Sequence, residues 1–333
     1  MTFFRGFRIV LLRVYIMLKK SSIRKICLAA FCLLILFILY LFPKRGDNSL
    51  SIPETTYTVT NAKDTIFLLD KNDYVARIGV AIAEEDVVKK ANTIISYLTI
   101  GSDNANLIPN GFKPIIPRGT KVLSSTLADG NFKVDFSKEL LEVSERDECR
   151  LIEALVYSLT GLNEIKSITI LVEGEILNKL PHSQEFLNNP LDRSIGINKK
   201  YDVDSIKGTT KTTMYYLSKY DGYYYYVPVT KVSNDSKEKI EVIIKELASS
   251  PVYETSLMSY LSSETTLQNY KILDHQLAID FNSAILSDVT KNDILEEVTY
   301  AINLSIKDNY DIDTVSYTVD QEEIAKFDLK SLE

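Results

Sequence analysis

The chain has 333 residues, enough for about two domains at ~150 residues each, and at 45% hydrophobic and 25% charged it has an ordinary globular composition. Its net charge of −7 conceals a split, because nine of the 38 basic residues stand in residues 1–45 beside no acid, leaving 29 basic against 45 acidic groups, a net of −16, in the rest. A body of that charge repels nucleic-acid backbones and anionic headgroups, which excludes nucleic acid as its partner.

Residues 1–25 form a basic segment in which Arg8 and Arg13 interrupt the apolar stretch Phe7 to Leu18, the pattern of a helix lying at the inner membrane surface. Ile26 to Phe42 is an unbroken apolar run. As a helix it spans about 26 Å, enough for a hydrocarbon core with snorkelling flanks. Seven positive charges precede it and two follow, so the N-terminus is expected in the cytoplasm and everything beyond Pro43 outside. No small-x-small cleavage site follows the run, and Phe31 before Cys32 and Ile26 before Cys27 do not fit a lipoprotein signal. The expectation is an uncleaved single-pass anchor in the cell membrane at 26–42, then a polar tether at 43–63.

From Thr65 onward much of the chain is written twice. Thr65 to Leu69 faces Thr213 to Leu217, and Ala91 to Leu98 faces Ile240 to Leu247. Val134-Asp135-Phe136-Ser137 is answered by Ile279-Asp280-Phe281-Asn282, and Leu155 to Leu159 by Val298 to Ile302. Partners lie about 143 to 149 residues apart, a drift typical of loop insertions. The chain therefore carries two copies of one domain of roughly 110 to 130 residues, a usual size. The expected boundaries are 64–177 and 208–322. A linker at 178–207 holds Pro181, Pro190 and Gly196, and a tail at 323–333 reads as a short polar helix or a frayed end.

In the first copy, Thr65–Leu69 and Tyr74–Ile82 read as a hairpin turned by Asp70 to Asp73. Glu84-Glu85-Asp86 opens a helix with Val87, Ala91, Ile94, Ile95 and Leu98 on one face. The Gly/Asn/Pro-rich loop Gly101 to Pro114 follows, then a hairpin of Lys121–Leu127 and Phe132–Phe136 turned by Asp129-Gly130. Ser144 to Asp147 is a capping box for a second helix carrying Leu151, Leu155, Val156 and Leu159, ended by Gly161. Ser167–Val172 is a last strand and Glu173-Gly174 a turn. The second copy repeats the order: Thr213–Leu217 with Tyr223–Val229 around Asp221-Gly222, a helix on Ile240, Ile243, Ile244 and Leu247, a box at Thr290 to Asp293, and a strand at Asp313–Val319. The order β-β-α-β-β-α-β predicts an α+β fold, each domain one sheet with two helices on one face.

Little in the chain could carry chemistry. His182 and His275 have no second ligand at metal spacing, and there is no Gly-rich phosphate loop and no GxSxG elbow. The expectation is a non-enzyme with no catalytic residue, cofactor or metal. Cys149 stands alone in the body and reads as a buried helix position rather than a reactive thiol. Asp135 and Asp280 occupy the same place in both copies. Each is either an acid or base of a glycosidase-like pair or a cap on the turn that follows its strand. The unusual cluster is aromatic: Tyr215, Tyr216, Tyr220, Tyr223, Tyr224, Tyr225 and Tyr226, in a chain with 20 Tyr and no Trp. Such rings either stack on a glycan or partner surface, or alternate between core and solvent along a hairpin.

Each copy resembles a GerMN domain. The residues that carry the resemblance are Thr65–Leu69, Leu98 with Gly101, Ile116-Pro117-Arg118-Gly119-Thr120 with Val122-Leu123, Val134-Asp135-Phe136-Ser137, Leu155–Leu159 and Ile168–Gly174. In the second copy they are Leu247 to Pro251 and Ile279-Asp280-Phe281-Asn282, with Ser262 to Thr266 departing from the family's Pro-x-Gly-Thr turn. The resemblance implies a fold similar to ring-building motifs and a non-enzymatic role at the envelope of an endospore-forming bacterium. Expected partners are envelope or mother cell–forespore channel proteins, with peptidoglycan as the alternative partner of the tyrosines.

Overall fold

The computed structural model describes residues 64–205, 207–249 and 255–332, together with Lys25, residues 28–31, Leu33 and Leu34. The expected anchor lies almost wholly outside the described residues, as do the basic segment before Lys25 and the tether. Its few described residues are helical, with Leu28, Phe31, Leu33 and Leu34 exposed. Among the described residues no helix is long and apolar enough to cross a membrane. The described residues from Asp64 onward belong to one compact unit.

The first repeat opens with the antiparallel strands β1 (Asp64–Asp70) and β2 (Val75–Val80). Helix α1 (Val87–Leu98) starts where Asp86 caps it, accepting the Lys89 N–H at 2.9 Å. It buries Ala91, Ile94, Ile95 and Leu98, the face expected from their spacing. After the short β3 (Phe112–Lys113) come β4 (Val122–Ala128) and β5 (Asn131–Phe136). Both turn residues, Asp129 and Gly130, have positive φ, the conformation a two-residue hairpin demands. Helix α2 (Glu148–Leu159) then leads to β6 (Ser167–Val172) and β7 (Glu175–Ile176). In the second repeat the order recurs as β9 (Thr210–Tyr220), β10 (Tyr223–Ser233), α3 (Lys239–Ala248), β11 (Leu267–Leu273), β12 (Gln276–Phe281), α4 (Glu296–Asn309), β13 (Thr314–Val319) and β14 (Glu322–Asp328). Between the repeats lies β8 (Lys200–Asp202).

The expectation of one sheet per domain is corrected. Each repeat has its own four-stranded sheet, β4-β5-β6-β7 and β11-β12-β13-β14, separate from its opening hairpin. The reason is the helical crossover. Because α2 joins β5 to β6 and α4 joins β12 to β13, these pairs run parallel and sit side by side, which closes the four-stranded sheet without the hairpin. The helices touch both layers: α1 meets β1 and β4, and α2 meets β1 and β6. The two hairpins instead join one another in a third sheet, ordered β3-β1-β2-β10 with β9 on β10, where Tyr226 pairs with Arg77.

The helix α2 begins one turn later than the capping box suggests, and Ser144 Oγ bonds Asp147 Oδ2 at 2.9 Å instead of capping an N–H. In the second repeat Asp288 Oδ1 accepts from Thr290 to close a turn well ahead of α4. The tail is neither helix nor frayed end: β14 runs to Asp328 and pairs with β13 over its length, followed by a short 3-10 turn at Leu329–Ser331. Its two-residue connection, Asp320-Gln321, again has positive φ at both positions.

The segment between the repeats is an ordered strap laid along α2. Buried Glu148 accepts the backbone N–H groups of His182 (3.0 Å) and Ser183 (2.7 Å). One turn and a half along, buried Glu153 accepts the Asn198 N–H at 3.0 Å and pairs with Lys199. At the helix end, Arg193 donates to Tyr157 O (3.1 Å) and Thr160 Oγ1 (3.0 Å) while ion-paired with Asp308 of α4. Asn198 bonds the backbone of Val75 and Pro228, tying β2 to β10. Leu191 exchanges both backbone bonds with Ile168, and β8 lies parallel to β10.

Candidate functional site

Alternation along β9 and β10 decides where the seven tyrosines go. Tyr226 stands opposite Leu217, and Tyr216 opposite Val227. Tyr216 and Tyr225 enter the main core, whereas Tyr215, Leu217 and Tyr226 pack on Ala301 and Leu304 of α4. All four of these tyrosines are buried. The hydroxyls of Tyr215 and Tyr225 find partners, as buried phenols generally do. Tyr215 donates to Asp308 Oδ2 at 2.7 Å. Tyr225 donates to Asp70 Oδ2 at 2.8 Å and accepts from Ser218 at 3.0 Å, while Asp70 Oδ1 takes the N–H groups of Asn72 and Tyr74. Burial pushes the Tyr225 phenol well above its usual range, and the Asp70 carboxylate adds to the rise. The Tyr225–Asp70 bond ties the second repeat to the first, and burial leaves none of these four rings open to a ligand.

Tyr220 is half-buried because its ring lies on Gly111, at φ +93°. A Cβ there would meet Tyr220 Cδ1 at 2.5 Å, so only glycine fits that approach. Tyr223 is 68% exposed. Tyr224 is half-buried with Lys219 Nζ 4.8 Å from its ring centroid and Tyr260 edge-on at 6.3 Å. Hydrogen bonds with Tyr260 and then Lys219 hold the Tyr224 phenol below its usual range. On the same side, Tyr300 stacks obliquely on Tyr226 at 4.9 Å with the Arg77 guanidinium 5.7 Å from its ring.

The structure thus splits the tyrosine cluster. Tyr215, Tyr216, Tyr225 and Tyr226 are core, Tyr220 is a joint, and Tyr223 and Tyr224 face outward. It also gathers Tyr260, Tyr300 and Arg77 into an aromatic and cationic rim around Tyr224. Sequence reasoning missed these three because Tyr260 sits in a loop, Tyr300 within a helix pattern, and Arg77 in the other repeat. Only the joined sheet brings them together.

Asp135 and Asp280 serve the same structural purpose in both repeats. Asp135 Oδ1 accepts the Gly174 N–H at 3.0 Å, and Asp280 Oδ1 accepts the Gln321 N–H at 3.2 Å and the Thr318 hydroxyl at 2.7 Å. Each caps the hairpin turn that follows the neighbouring parallel strand, β6 or β13, not the turn after its own strand. His182 Nε2 meets Val143 O at 2.8 Å, and His275 Nδ1 meets Asp311 O at 2.9 Å. Among the described residues no cluster of His, Cys, Asp or Glu could hold a metal ion.

With the repeat geometry in hand, comparison with known proteins is decisive. The family model described as Germane, sporulation and spore germination, matches residues 65–178 and again 213–325. The chain belongs to the Germane family. It is 30% identical over 259 residues to the spore germination protein GerM of Bacillus subtilis, spanning 76% of this chain and 70% of that protein. The solved tandem GerMN domains of the sporulation protein GerM from Bacillus subtilis are 28% identical, cover 78% of this chain and 91% of theirs, and superpose with a TM-score of 0.71. Both Germane repeats, and their mixed α+β architecture, are therefore family features. The rim around Tyr224 is built on the second Germane repeat with one residue, Arg77, from the first.

Proposed function

We propose that this chain is a membrane-anchored, non-enzymatic assembly protein of the cell envelope, acting in sporulation or germination. Family membership carries the reading, since the similar proteins are named for spore germination and sporulation. The apolar run at 26–42 is the anchor, with the basic segment inside and both repeats outside. A first domain at 64–177 belongs to the same reading, with a second that starts at 208 and takes in β14. The protein docks on envelope or mother cell–forespore channel proteins through the rim of Tyr224, Tyr260 and Tyr300, and through open strand edges of its four-stranded sheets. Tyrosines flanked by cations, presenting flat rings with polar tips, are the composition that protein interfaces favour. An open edge adds unpaired backbone groups.

The experiment is a Tyr224→Ala, Tyr260→Ala double variant in the native host. The expected result is a drop in heat-resistant spores at unchanged protein level, and sporulation indistinguishable from the parent would overturn the docking reading. Protease shaving of intact protoplasts tests the anchor, because the repeats should be digested and residues 1–25 protected.

A second reading, peptidoglycan binding, is favoured by one observation: the half-buried Tyr224 ring stands beside the exposed Tyr260 ring, so that two aromatic rings lie together at the surface. The purified chain would then sediment with sacculi, and a chain wholly in the supernatant removes that reading.

A further inference from the structure

The two repeats differ at one place that duplication should have kept alike. In the first, α1 is bonded to edge strand β4: Asn92 Nδ2 donates to Ser125 Oγ at 2.9 Å. The same positions in the second repeat hold Glu241 on α3 and Tyr270 on β11, since Ser125 faces Val134 and Tyr270 faces Ile279 in matching registers. Both edge strands carry a bulge at the same point, between Val122 and Ser124 and between Leu267 and Asn269. Between α3 and β11 there is instead a groove of about 660 Å³. Ile244 and Ala248 from the helix and Leu267 and Tyr270 from the strand line it, with Lys237 and Lys245 at its rim.

The groove runs along an unpaired edge. The turn Asp274-His275 makes Leu273 and Gln276 the closing pair of the hairpin, so alternate residues Tyr270 and Ile272 turn their backbone groups outward. The Tyr270 N–H is held there by its neighbour's side chain, Asn269 Oδ1 at 2.9 Å, a bond that an incoming carbonyl can replace. Ile272 and Leu273 are 45% and 57% exposed on the same strand. An open edge, an apolar floor and a helix wall are the parts by which extended peptides add to a sheet.

Charge selects the occupant. Lys237 and Lys245 are exposed cations in a body whose net charge is −16 outside residues 1–45, and Glu241 lies between them. We propose that this groove takes an extended segment of a partner protein, acidic at both ends and apolar between, added to β11 as a new outer strand. The carboxylates meet Lys237 and Lys245, and the apolar middle covers Ile244, Ala248 and Tyr270 while keeping negative charge away from Glu241. The proposal rests on the docking reading above in needing a protein partner, and it names the edge and the chemistry.

The test is hydrogen exchange at the Tyr270 and Ile272 amides of the full chain. One probe is a synthetic peptide of alternating valine and threonine flanked by glutamates, and the other is the same peptide flanked by lysines. The glutamate peptide should protect both amides and the lysine peptide should not. A Lys237→Glu, Lys245→Glu variant should weaken the glutamate peptide by about tenfold and accept the lysine peptide instead. Tyr270→Pro, whose ring loss costs some packing but whose backbone is tolerable on an edge strand, should abolish binding while the chain stays folded. No protection by either peptide, or equal protection by both, overturns the proposal. Partner crosslinks at Tyr224 without peptide protection at β11 would refute the groove alone, whereas peptide protection without such crosslinks would refute only the rim.

Discussion

Arg193, in the strap between the repeats, is ion-paired with Asp308 of α4, and Tyr215 donates to the same carboxylate. The guanidinium also lies 4.9 Å from the Tyr157 ring centroid of α2. Burial pulls the Arg193 pKa down, but the Asp308 charge outweighs it and the net shift is upward. One cation thus joins the first repeat, the strap and the second repeat. Removing Arg193 strands a buried carboxylate, so Arg193→Ala should cost about 3 kcal/mol, and Asp308→Ala, which strands a guanidinium still partly in water, should cost less, both read from urea midpoints. The paired replacement Arg193→Met, Asp308→Leu should recover most of it. Single losses below about 1 kcal/mol would show that the pair holds nothing together.

Ser158 and Ser305 do the same work 147 positions apart. Each accepts a strand N–H in the core, Phe67 at 2.8 Å and Tyr215 at 3.0 Å, on the outer edge of β1 beside the short β3 pairing and of β9 beside the Leu217–Met258 bridge. Ser158→Ala and Ser305→Ala should each cost about 1–3 kcal/mol, because a buried N–H loses its acceptor. Equal losses by thermal unfolding support true structural equivalence of the repeats; a neutral result in one would contradict it there.

The tyrosines should separate by stability. Tyr216→Ala and Tyr225→Ala remove buried rings and should cost about 3–5 kcal/mol, whereas Tyr223→Ala, at 68% exposure, should stay within about 0.5 kcal/mol. A large loss at Tyr223 would mean that the tip of the hairpin is packed.

Cys149 reports on the strap. Burial, and then the Glu185 carboxylate 3.5 Å from its sulfur, push the thiol from its ordinary 9.0 to about 11. A raised folded pKa leaves stability untouched below pH 9.0; between there and about 11 only the unfolded chain gives up its proton, so stability falls as pH rises. In a background lacking Cys27 and Cys32, iodoacetamide at pH 9 should alkylate the native chain far more slowly than the urea-unfolded chain. Equal rates would place Cys149 in open solvent.

Much of the fold was legible because its signals are local. Apolar spacing located three of the four helices of the repeats and the duplication the fourth, and Asp-Gly at 129–130 and 221–222 located two hairpin turns. The repeat itself gave the order of elements. Sheet membership was not legible, since pairing β5 with β6 depends on where the α2 crossover lands. The strap was hidden for a related reason. Glu148, Glu153 and Arg193 look like surface charges until the chain that covers them is present. The tail was misread because β14 alternates weakly, its sheet-facing side chains being only half-buried. Of the aromatic cluster, the run of tyrosines was visible, but both faces of the β9–β10 hairpin are covered, so Tyr215, Tyr216, Tyr225 and Tyr226 are all buried.

The central claim is docking through the rim at Tyr224. The most direct measurement places a photo-crosslinking amino acid at Tyr224 of the full chain in sporulating cells, with Tyr201, 65% exposed and away from the rim, as the control. The account predicts a discrete crosslinked envelope protein from Tyr224, absent from Tyr201. No crosslink at Tyr224, or the same species from both positions, would contradict it.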